Sequence, residues 1–269
     1  MDTLAFTDTH AHLSALAQRG IDPIARLEEL FSSGFGAIMD IGTNADDLGE
    51  RVRAFSRFPG VSFSAGIWPS AEAIRDRTAL LKLLTDNIAR DGAGRVVAIG
   101  ECGFDRHWNK TEEGADTEGE RELFAEQAKL AFGFNLPLVV HSREAADETA
   151  RAIESIPGLR GVIHCFSYGK DEARRFLDLG FHLSFAGTIT YKNSSDQREA
   201  ARFAPDDRLL LETDSPYLAP LPFRGKSAEP GMVERTYEAV ATLRGITVMR
   251  LTEIAAKNAH DLFGFPKRF

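Results

Sequence analysis

The sequence predicts an α/β fold, a (β/α)8 TIM barrel that forms a single domain over residues 1–269. Short apolar runs rich in β-branched residues alternate with longer amphipathic runs, without a break in composition. Such alternation favours a parallel sheet, and eight strand–helix units in a chain of this length favour a closed barrel. The rival is an open doubly wound sheet, which usually has fewer strands and a glycine loop after the first strand. The first strand candidate here ends in DTHAH, without glycine.

Eight segments are strand candidates, because each is short, apolar and bounded by turn residues. In chain order they are LAFTDTHAH, FGAIMDIG, VSFSAGIWP, RVVAIGECGFD, LPLVVHS, RGVIHCFS, FHLSFAGT and RLLLETDSP. Helical patterns between them include DPIARLEELFSSG, EGERELFAEQAKLAFGFN and REAADETARAIESIPG. Asp22 followed by Pro23 is typical of a helix N-cap with proline at the first helical position. The long polar segment DRHWNKTEEGADTEGE after the fourth strand is expected to be a solvated loop or a lid.

The composition limits the classes of function. The formal net charge of −8 gives no basic footprint for general, non-specific DNA binding. No apolar run reaches membrane-spanning length, and no basic segment followed by an apolar one marks a secretory signal. Two cysteines are too few for a disulfide framework. A cytoplasmic protein with reduced thiols is therefore expected.

Two histidines stand on alternate residues of the first strand candidate. His10 and His12 point to the same side of a strand, because side chains alternate between its faces. They could therefore reach one metal ion together, although two histidines alone are weak evidence. Asp8 lies two residues earlier in the same register. It could bind the metal or orient one of the histidines.

Four other strand candidates also end in side chains that bind metals. Each directly follows an apolar run, and they are Glu101, His141, His164 and Asp214. Ionisable groups at the ends of buried strands are unfavourable unless they are paired or bound. In a parallel barrel these ends share one face, the face on which active sites lie. The sequence therefore predicts a metal site there, rather than a chance set of buried polar groups.

Six nitrogen and oxygen ligands exceed the number that one zinc ion with an open position needs. The expected ligands are His10, His12 and Asp214 for a first ion, and His141 and His164 for a second. Glu101 is the expected shared ligand, since its strand lies between the two sets. Two such ions can clamp the attacking and leaving oxygens of a phosphoryl displacement, and Asp214 is the expected proton acceptor. Zinc, manganese, iron and magnesium are all compatible with these ligands.

The blocks that contain these residues resemble the TatD family of metal-dependent deoxyribonucleases, within the amidohydrolase-like barrels. The blocks are DTHAHL, IGECGFD, VVHSREA, HCFSYG and LLLETDSPYLAP, followed by RGK, EP and KNAHDLFGF. The resemblance covers about residues 6–265. It implies a metal-dependent hydrolase of ester bonds in DNA, with the six residues above as metal ligands. Many related barrels bridge their metals with a carboxylated lysine on strand four, but AIGECGFD contains no lysine.

Two departures from the family pattern bear on the substrate. The third strand ends in GIWPS, with Trp68 where the family usually has a histidine. Further on, SAEP stands where the family typically has an asparagine before Glu-Pro. All six ligand positions are kept, so the departures concern substrate preference. Trp68 is expected to form part of the substrate wall by base stacking, or else to pack under a neighbouring loop.

Two arginines are candidates for binding a substrate phosphate. Arg143 could form paired hydrogen bonds with phosphate oxygens, or cap the following helix or pair with Glu144. Arg224 lies in the loop after strand eight, where barrels often bind phosphate, or it is a surface arginine. Three histidines have no partners in the pattern and are expected to be surface or structural, namely His107, His182 and His260. Cys102 and Cys165 each follow a candidate ligand, so alternation is expected to turn both away from the pocket.

These features together predict a two-metal phosphodiesterase that acts on DNA as an exonuclease trimming ends. The net acidity does not exclude this, because bound metals supply local positive charge, but it argues against tight wrapping of long duplexes. Two alternatives remain open. One is a hydrolase of small esters, amides or phosphoesters on the same site, and the other is a metal-binding scaffold without turnover. The presence of Asp214 argues against the scaffold.

Overall fold

The computed structural model describes residues 4–92, 94–110 and 116–265, and its centre is a sheet of eight parallel strands. The strands follow one another around the sheet in chain order. They are β1 (Thr7–Ala11), β2 (Ala37–Asp40), β3 (Val61–Ala65), β4 (Val96–Asp105), β5 (Leu138–Arg143), β6 (Gly161–Ile163), β7 (His182–Phe185) and β8 (Leu209–Leu211). All eight predicted strands are present, and they form the predicted TIM barrel.

Contacts between β1 and the segment after β8 complete the barrel. The backbone N–H of Asp214 donates to the carbonyl of His10 at 2.9 Å, and that of His12 donates to Ser215 at 2.8 Å. Deeper in the barrel, the Asp8 carboxylate accepts from the backbone N–H of Thr213 at 2.9 Å and from its hydroxyl at 2.5 Å. The first and last strand ends are therefore held together beside the residues predicted to bind metal.

Helices cover the outside of the barrel. They are α1 (Leu13–Ala17), α2 (Pro23–Ser32), α3 (Leu48–Phe55), α4 (Ala71–Arg75), α5 (Arg77–Asp91), α6 (Thr117–Phe134), α7 (Ala146–Glu154), α8 (Lys170–Asp178), α9 (Ser195–Phe203), α10 (Val233–Arg244) and α11 (Val248–Phe263). The predicted cap of α2 is present, since the Asp22 side chain accepts from the N–H groups of Ile24 and Ala25. Within the described ranges, no helix has the length and apolar character needed to cross a bilayer.

An apolar layer inside the barrel lies beneath the strand ends. It includes Val162 of β6 and Val139 of β5, and Val139 is on the same face of its strand as His141. Phe263 and Phe265, at the end of α11 and just beyond it, belong to the same cluster. This layer leaves the carboxyl ends of the strands as the place where polar side chains can gather.

Three predicted ligands lie beyond the ends of their strands, and one of them is His12, because β1 ends at Ala11. β6 ends at Ile163 and β8 at Leu211, so His164 and Asp214 lie in the segments that follow. Asp214 and Cys165 have left-handed backbone angles, with φ of 58° and 44°. Such angles are uncommon outside glycine, and they redirect side chains away from strand alternation. This explains why Cys165 lines the cavity, contrary to the prediction, whereas Cys102 in β4 is fully buried.

Candidate metal centre

The six side chains predicted as ligands lie together at the carboxyl ends of the strands. In the first group, Nε2 of His10 and Nε2 of His12 are 3.3 Å apart. Oδ1 of Asp214 lies 3.6 Å from the former and 3.4 Å from the latter. Imidazole nitrogens and a carboxylate oxygen at this separation can converge on one cation.

The second group consists of Glu101, His141 and His164. Nδ1 of His141 lies 2.8 Å from Oε1 of Glu101, and Nε2 of His164 lies 3.2 Å from the same oxygen. The two histidine nitrogens are 3.2 Å apart. These three residues form a second set of donor atoms within reach of one cation.

Glu101 faces both groups with different oxygens. Its Oε1 belongs to the second group, whereas its Oε2 lies 3.4 Å from His10 Nε2 and 3.7 Å from His12 Nε2. Burial by itself would raise the pKa of this carboxyl, but the neighbouring histidines, His164 foremost, hold it well below its usual range. Glu101 is therefore a carboxylate between two nitrogen-rich groups, and the donor set fits a pair of divalent cations that share it.

Two acidic residues that sequence reasoning missed lie behind the histidines of the second group. Oδ2 of Asp105, at the end of β4, lies 2.9 Å from Nε2 of His141. Oε1 of Glu212 lies 3.4 Å from Nδ1 of His164 and accepts the Cys165 N–H at 2.7 Å. Carboxylates behind metal-binding histidines fix the ring tautomer and its orientation. Glu212 could have been noticed, because it lies two residues before Asp214 in LLLETD.

Asp8 does not belong to the donor groups formed by the described residues. One of its oxygens accepts the backbone N–H of His10 at 3.2 Å, and both accept hydrogen bonds from Thr213. Complete burial raises the pKa of this carboxyl to about 8. Asp8 was expected to bind the metal or to orient a histidine, but its contacts with the His10 backbone and with Thr213 instead fix the strand ends.

A cavity of about 1210 Å³ opens over both groups. Trp68 lines it, with its ring edge-on to His141 at a centroid distance of 5.9 Å. Tyr217 lines the other side, edge-on to His12 at 5.7 Å. Tyr217 is 45% exposed, and Trp108, also in the lining, is 66% exposed. Sequence reasoning missed both, since an aromatic residue outside a periodic pattern carries no signal of which surface it joins.

Comparison with known proteins identifies the family. The model of the TatD related DNase family matches residues 7–264. The chain belongs to the TatD family. The metal-dependent hydrolase YabD of Bacillus subtilis is 33% identical over 258 residues, which cover 95% of this chain and 98% of YabD. The metal-dependent hydrolase TatD of Mycobacterium tuberculosis is 31% identical over 264 residues, covering 96% of this chain and 97% of that protein.

Solved structures of TatD proteins share the fold. YJJV, a TatD homolog from Escherichia coli K12, superposes with a TM-score of 0.87 at 29% identity and covers 98% of this chain and 100% of its own. A TatD family hydrolase from Entamoeba histolytica has a TM-score of 0.85 at 18% identity, with coverage of 99% and 100%. This TatD protein is therefore a metal-dependent hydrolase, as its sequence predicts.

The predicted phosphate-binding arginines of this TatD protein occupy different places. Arg143 is exposed and lines the cavity. The partner proposed for it, Glu144, instead lies 3.2 Å from Nδ1 of His107. Arg224 lies outside the set of described residues that line the cavity, and its guanidinium stacks on the ring of Tyr191 at 4.6 Å. Only Arg143 is thus next to the donor groups.

The long loop after β4 is fixed where it leaves the barrel. The Asn109 amide donates to the carbonyl of Pro69 at 2.5 Å, and Arg106 pairs with Glu120 and with Glu148. Trp108 between them faces the cavity mouth. Residues 111–115 lie outside the described residues, so the alternatives of a lid and a solvated loop stay open for that part.

Proposed function

We propose that this TatD protein is a two-metal deoxyribonuclease that removes nucleotides from DNA ends. The observation that carries the proposal is the position of Glu101, whose two carboxylate oxygens face separate histidine groups. The first ion would be held by His10, His12 and Asp214, the second by His141 and His164, with Glu101 shared. When bound, two divalent ions neutralise phosphate charge and lower the pKa of water to near neutrality. The donor set accepts zinc, manganese, iron or magnesium.

Asp214 is the proposed base. Burial would raise the pKa of this carboxyl, but His12 and His10 hold it below its usual range, so it is ionised at neutral pH. Its oxygen lies at the open side of the first group, where it can accept the proton of an attacking water. The left-handed backbone at Asp214, three residues after the end of β8, directs this carboxylate into the cavity.

The proposed substrate contacts are aromatic and cationic. Trp68 offers a partly buried ring beside His141, on which a base at the DNA end can stack. The described residues include no ion-pair partner for Arg143, which leaves its guanidinium available for a phosphate oxygen. Arg224 would contact a phosphate only further along the strand, since it lies outside the cavity lining. The two free cysteines are compatible with action in the cytoplasm.

One observation favours a different substrate on the same site, a small ester, amide or phosphoester. The cavity wall formed by the segments after β2 and β3 carries the exposed acids Asp46, Glu50 and Glu72. These side chains would repel a strand that continued past them, so a substrate must be short in that direction or leave the cavity on the Arg143 side. A scaffold without turnover is disfavoured by the open, ionised Asp214.

The test is hydrolysis of end-labelled single-stranded DNA with and without a chelator, beside a panel of small esters, amides and phosphodiesters. Shortening of the labelled strand by single nucleotides, abolished by chelator and restored by metal, is the expected result. Turnover of the small substrates alone would show that DNA is not the substrate and would support the alternative hydrolase. Metal binding without turnover of any substrate would support the alternative of a metal-binding scaffold.

A further inference from the structure

Arg51 of α3 is buried beside the cavity against the carboxyl ends of β2 and β3. Its side chain is 4% exposed and lies between two carboxylates, 3.0 Å from Asp40 Oδ2 and 2.9 Å from Asp47 Oδ1. It also donates to the backbone carbonyls of Ser64 at 2.8 Å and of Asp40 at 3.2 Å. These four acceptors occupy its donors, so a substrate phosphate would have to displace them. The planar guanidinium instead fixes the groups around it.

The first connection leads from Arg51 to β1. One oxygen of Asp40 binds Arg51, and the other accepts the backbone N–H of Leu13 at 2.9 Å. Leu13 directly follows His12, at the point where the chain leaves β1 for α1. The orientation of the Asp40 carboxylate therefore determines where the backbone next to His12 lies.

The second connection leads to Glu101. Gly42 lies so close to the guanidinium that a Cβ atom there would be 2.4 Å from Nη2 of Arg51, so any side chain at this position would displace the guanidinium. The N–H of Gly42 donates to the Ser64 hydroxyl at 3.1 Å, and its carbonyl accepts the N–H of Glu101 at 2.8 Å. The position of the Arg51 guanidinium thus determines the position of Gly42, and through it the position of the Glu101 backbone.

The third connection leads to the cavity wall. The second oxygen of Asp47 accepts the N–H of Thr43 at 3.1 Å. The carbonyl of Thr43 accepts the N–H of Trp68 at 2.9 Å. The same ion network therefore also holds the backbone of the aromatic residue that lines the cavity beside His141.

We propose that Arg51 is a positioning residue of the active site, which fixes the backbone beneath three residues that act on metal or substrate. These are His12, Glu101 and Trp68. The inference rests on the proposed function, because it takes these three side chains as metal and substrate contacts. Arg51 lines the cavity, but protein acceptors occupy its donors, so it acts through Asp40, Gly42 and Asp47.

The decisive variant is Arg51→Lys, which keeps the charge and the apolar stem but cannot form the fork of hydrogen bonds. Calorimetric titration of the metal-free variant with Mn²⁺ should show affinity lowered about 10- to 100-fold, the range for groups that orient metal ligands. Hydrogen exchange of the Leu13 and Glu101 amides should be at least about 10-fold faster than in the parent, because both hydrogen bonds depend on the network.

Arg244 of α10 provides the matched control. It is 12% exposed, pairs with Asp206 and donates to the carbonyls of Ala201 and Ala204 at 2.6 and 2.7 Å, on the side of the barrel where β8 begins. Arg244→Lys should lower stability comparably, while Mn²⁺ affinity and the exchange of the Leu13 and Glu101 amides stay as in the parent. Equal effects of the two substitutions on these amides and on Mn²⁺ affinity would overturn the proposal, as would parental values in Arg51→Lys.

A milder variant decides the matter if Arg51→Lys does not fold. Asp47 is 23% exposed, and Asp47→Asn removes charge from the network with little change in volume. The Trp68 amide should then exchange faster than in the parent, and an unchanged rate would overturn the proposal. Failure of the parent to bind Mn²⁺ would refute the proposed function instead, and the amide exchange would still decide the role of Arg51.

Discussion

Oδ2 of Asp105 lies 2.9 Å from Nε2 of His141, and the other ring nitrogen of His141 faces Glu101 at 2.8 Å. Asp105 therefore accepts the proton on Nε2 and leaves Nδ1 as the nitrogen that can bind a metal. His164 is used in the opposite sense, with Nδ1 towards Glu212 and Nε2 towards Glu101. Asp105 thus fixes the tautomer of His141, whereas Glu212 lies near Nδ1 of His164 without a hydrogen bond to it.

Asp105→Asn should weaken metal binding by the second group and leave metal binding by the first group unchanged. The amide is a weaker acceptor and can also donate, so the His141 tautomer is no longer enforced. The affinity for the more weakly bound of two Mn²⁺ ions should fall by about 10- to 100-fold, as measured by calorimetry. Asp207→Asn is the control, because Asp207 is exposed, pairs with its neighbour Arg208 and lies outside the donor groups formed by the described residues. Parental affinity at both sites in Asp105→Asn would contradict the orienting role.

The convergence of the six candidate ligands could be predicted, because it follows from two regular features. Strand alternation predicts one side for His10 and His12, which do lie together although His12 follows the end of β1, and parallel strands end on one side of a barrel. Glu101, in the middle of the eight strands, could on the same grounds be placed between the two sets. None of this needs knowledge of a contact across the barrel.

The residues that sequence reasoning missed act through contacts that have no period. Arg51 reaches Glu101 only through the carbonyl of Gly42, and Asp105 reaches His141 from a neighbouring strand. Cys165 was predicted to face away from the cavity because alternation was continued past Ile163, where the strand ends. Strand ends and buried ion networks are determined by tertiary contacts rather than by local pattern.

Removing the shared carboxylate should affect both metals. Glu101→Ala takes away the ligand that faces the two groups, so protein purified without chelator should contain no metal or one weakly held ion. His141→Ala removes a ligand from the second group only and should retain one ion. Elemental analysis after equilibration with excess metal measures both. A parent that never exceeds one ion per chain would contradict the two-metal mechanism.

Asp214→Asn should abolish most turnover without unfolding the protein. The substitution is nearly isosteric and keeps an oxygen near the first group, but it removes the negative charge and the proton acceptor. The value of kcat should fall by at least about 100-fold, the lower range for loss of a general base. Circular dichroism and metal content serve as controls for folding. Hydrolysis at close to the parental rate would mean that another group activates the water.

His182 in β7 should make the fold sensitive to acid. Its burial, together with Arg208, lowers the pKa of this imidazole from 6.5 to about 4. Between those pH values the unfolded chain binds a proton at His182 that the folded chain excludes. The contribution of His182 to the free energy of unfolding is therefore fully present above pH 6.5 and is lost as the pH falls towards 4. At about pH 5 the loss amounts to roughly 2 kcal/mol.

His182→Gln removes this titration and tests it. Free energies of unfolding in urea, measured at about pH 7.5 and 5, should fall less on acidification in the variant than in the parent, by roughly 2 kcal/mol. Subtracting the two proteins cancels the contributions of the other titrating groups. Equal losses in both would show that His182 is protonated as easily in the folded protein as in the unfolded chain.

Trp68→Ala should weaken the binding of a DNA end without affecting the metals. Stacking of one base on an aromatic ring contributes about 1–3 kcal/mol, so KM for single-stranded DNA should rise about 5- to 100-fold. KM for a small phosphodiester that lacks a base should stay the same, and metal content should be parental. Trp68→His introduces the histidine that the resemblance to the TatD family implies at this position, and it should shift preference towards the substrates of other TatD proteins. Tyr217→Ala, measured in parallel, tells whether the ring beside His12 stacks on a second base.

Equal KM for DNA in the parent and Trp68→Ala would show that Trp68 does not contact the substrate. Loss of metal in that variant would show that the role of Trp68 is structural.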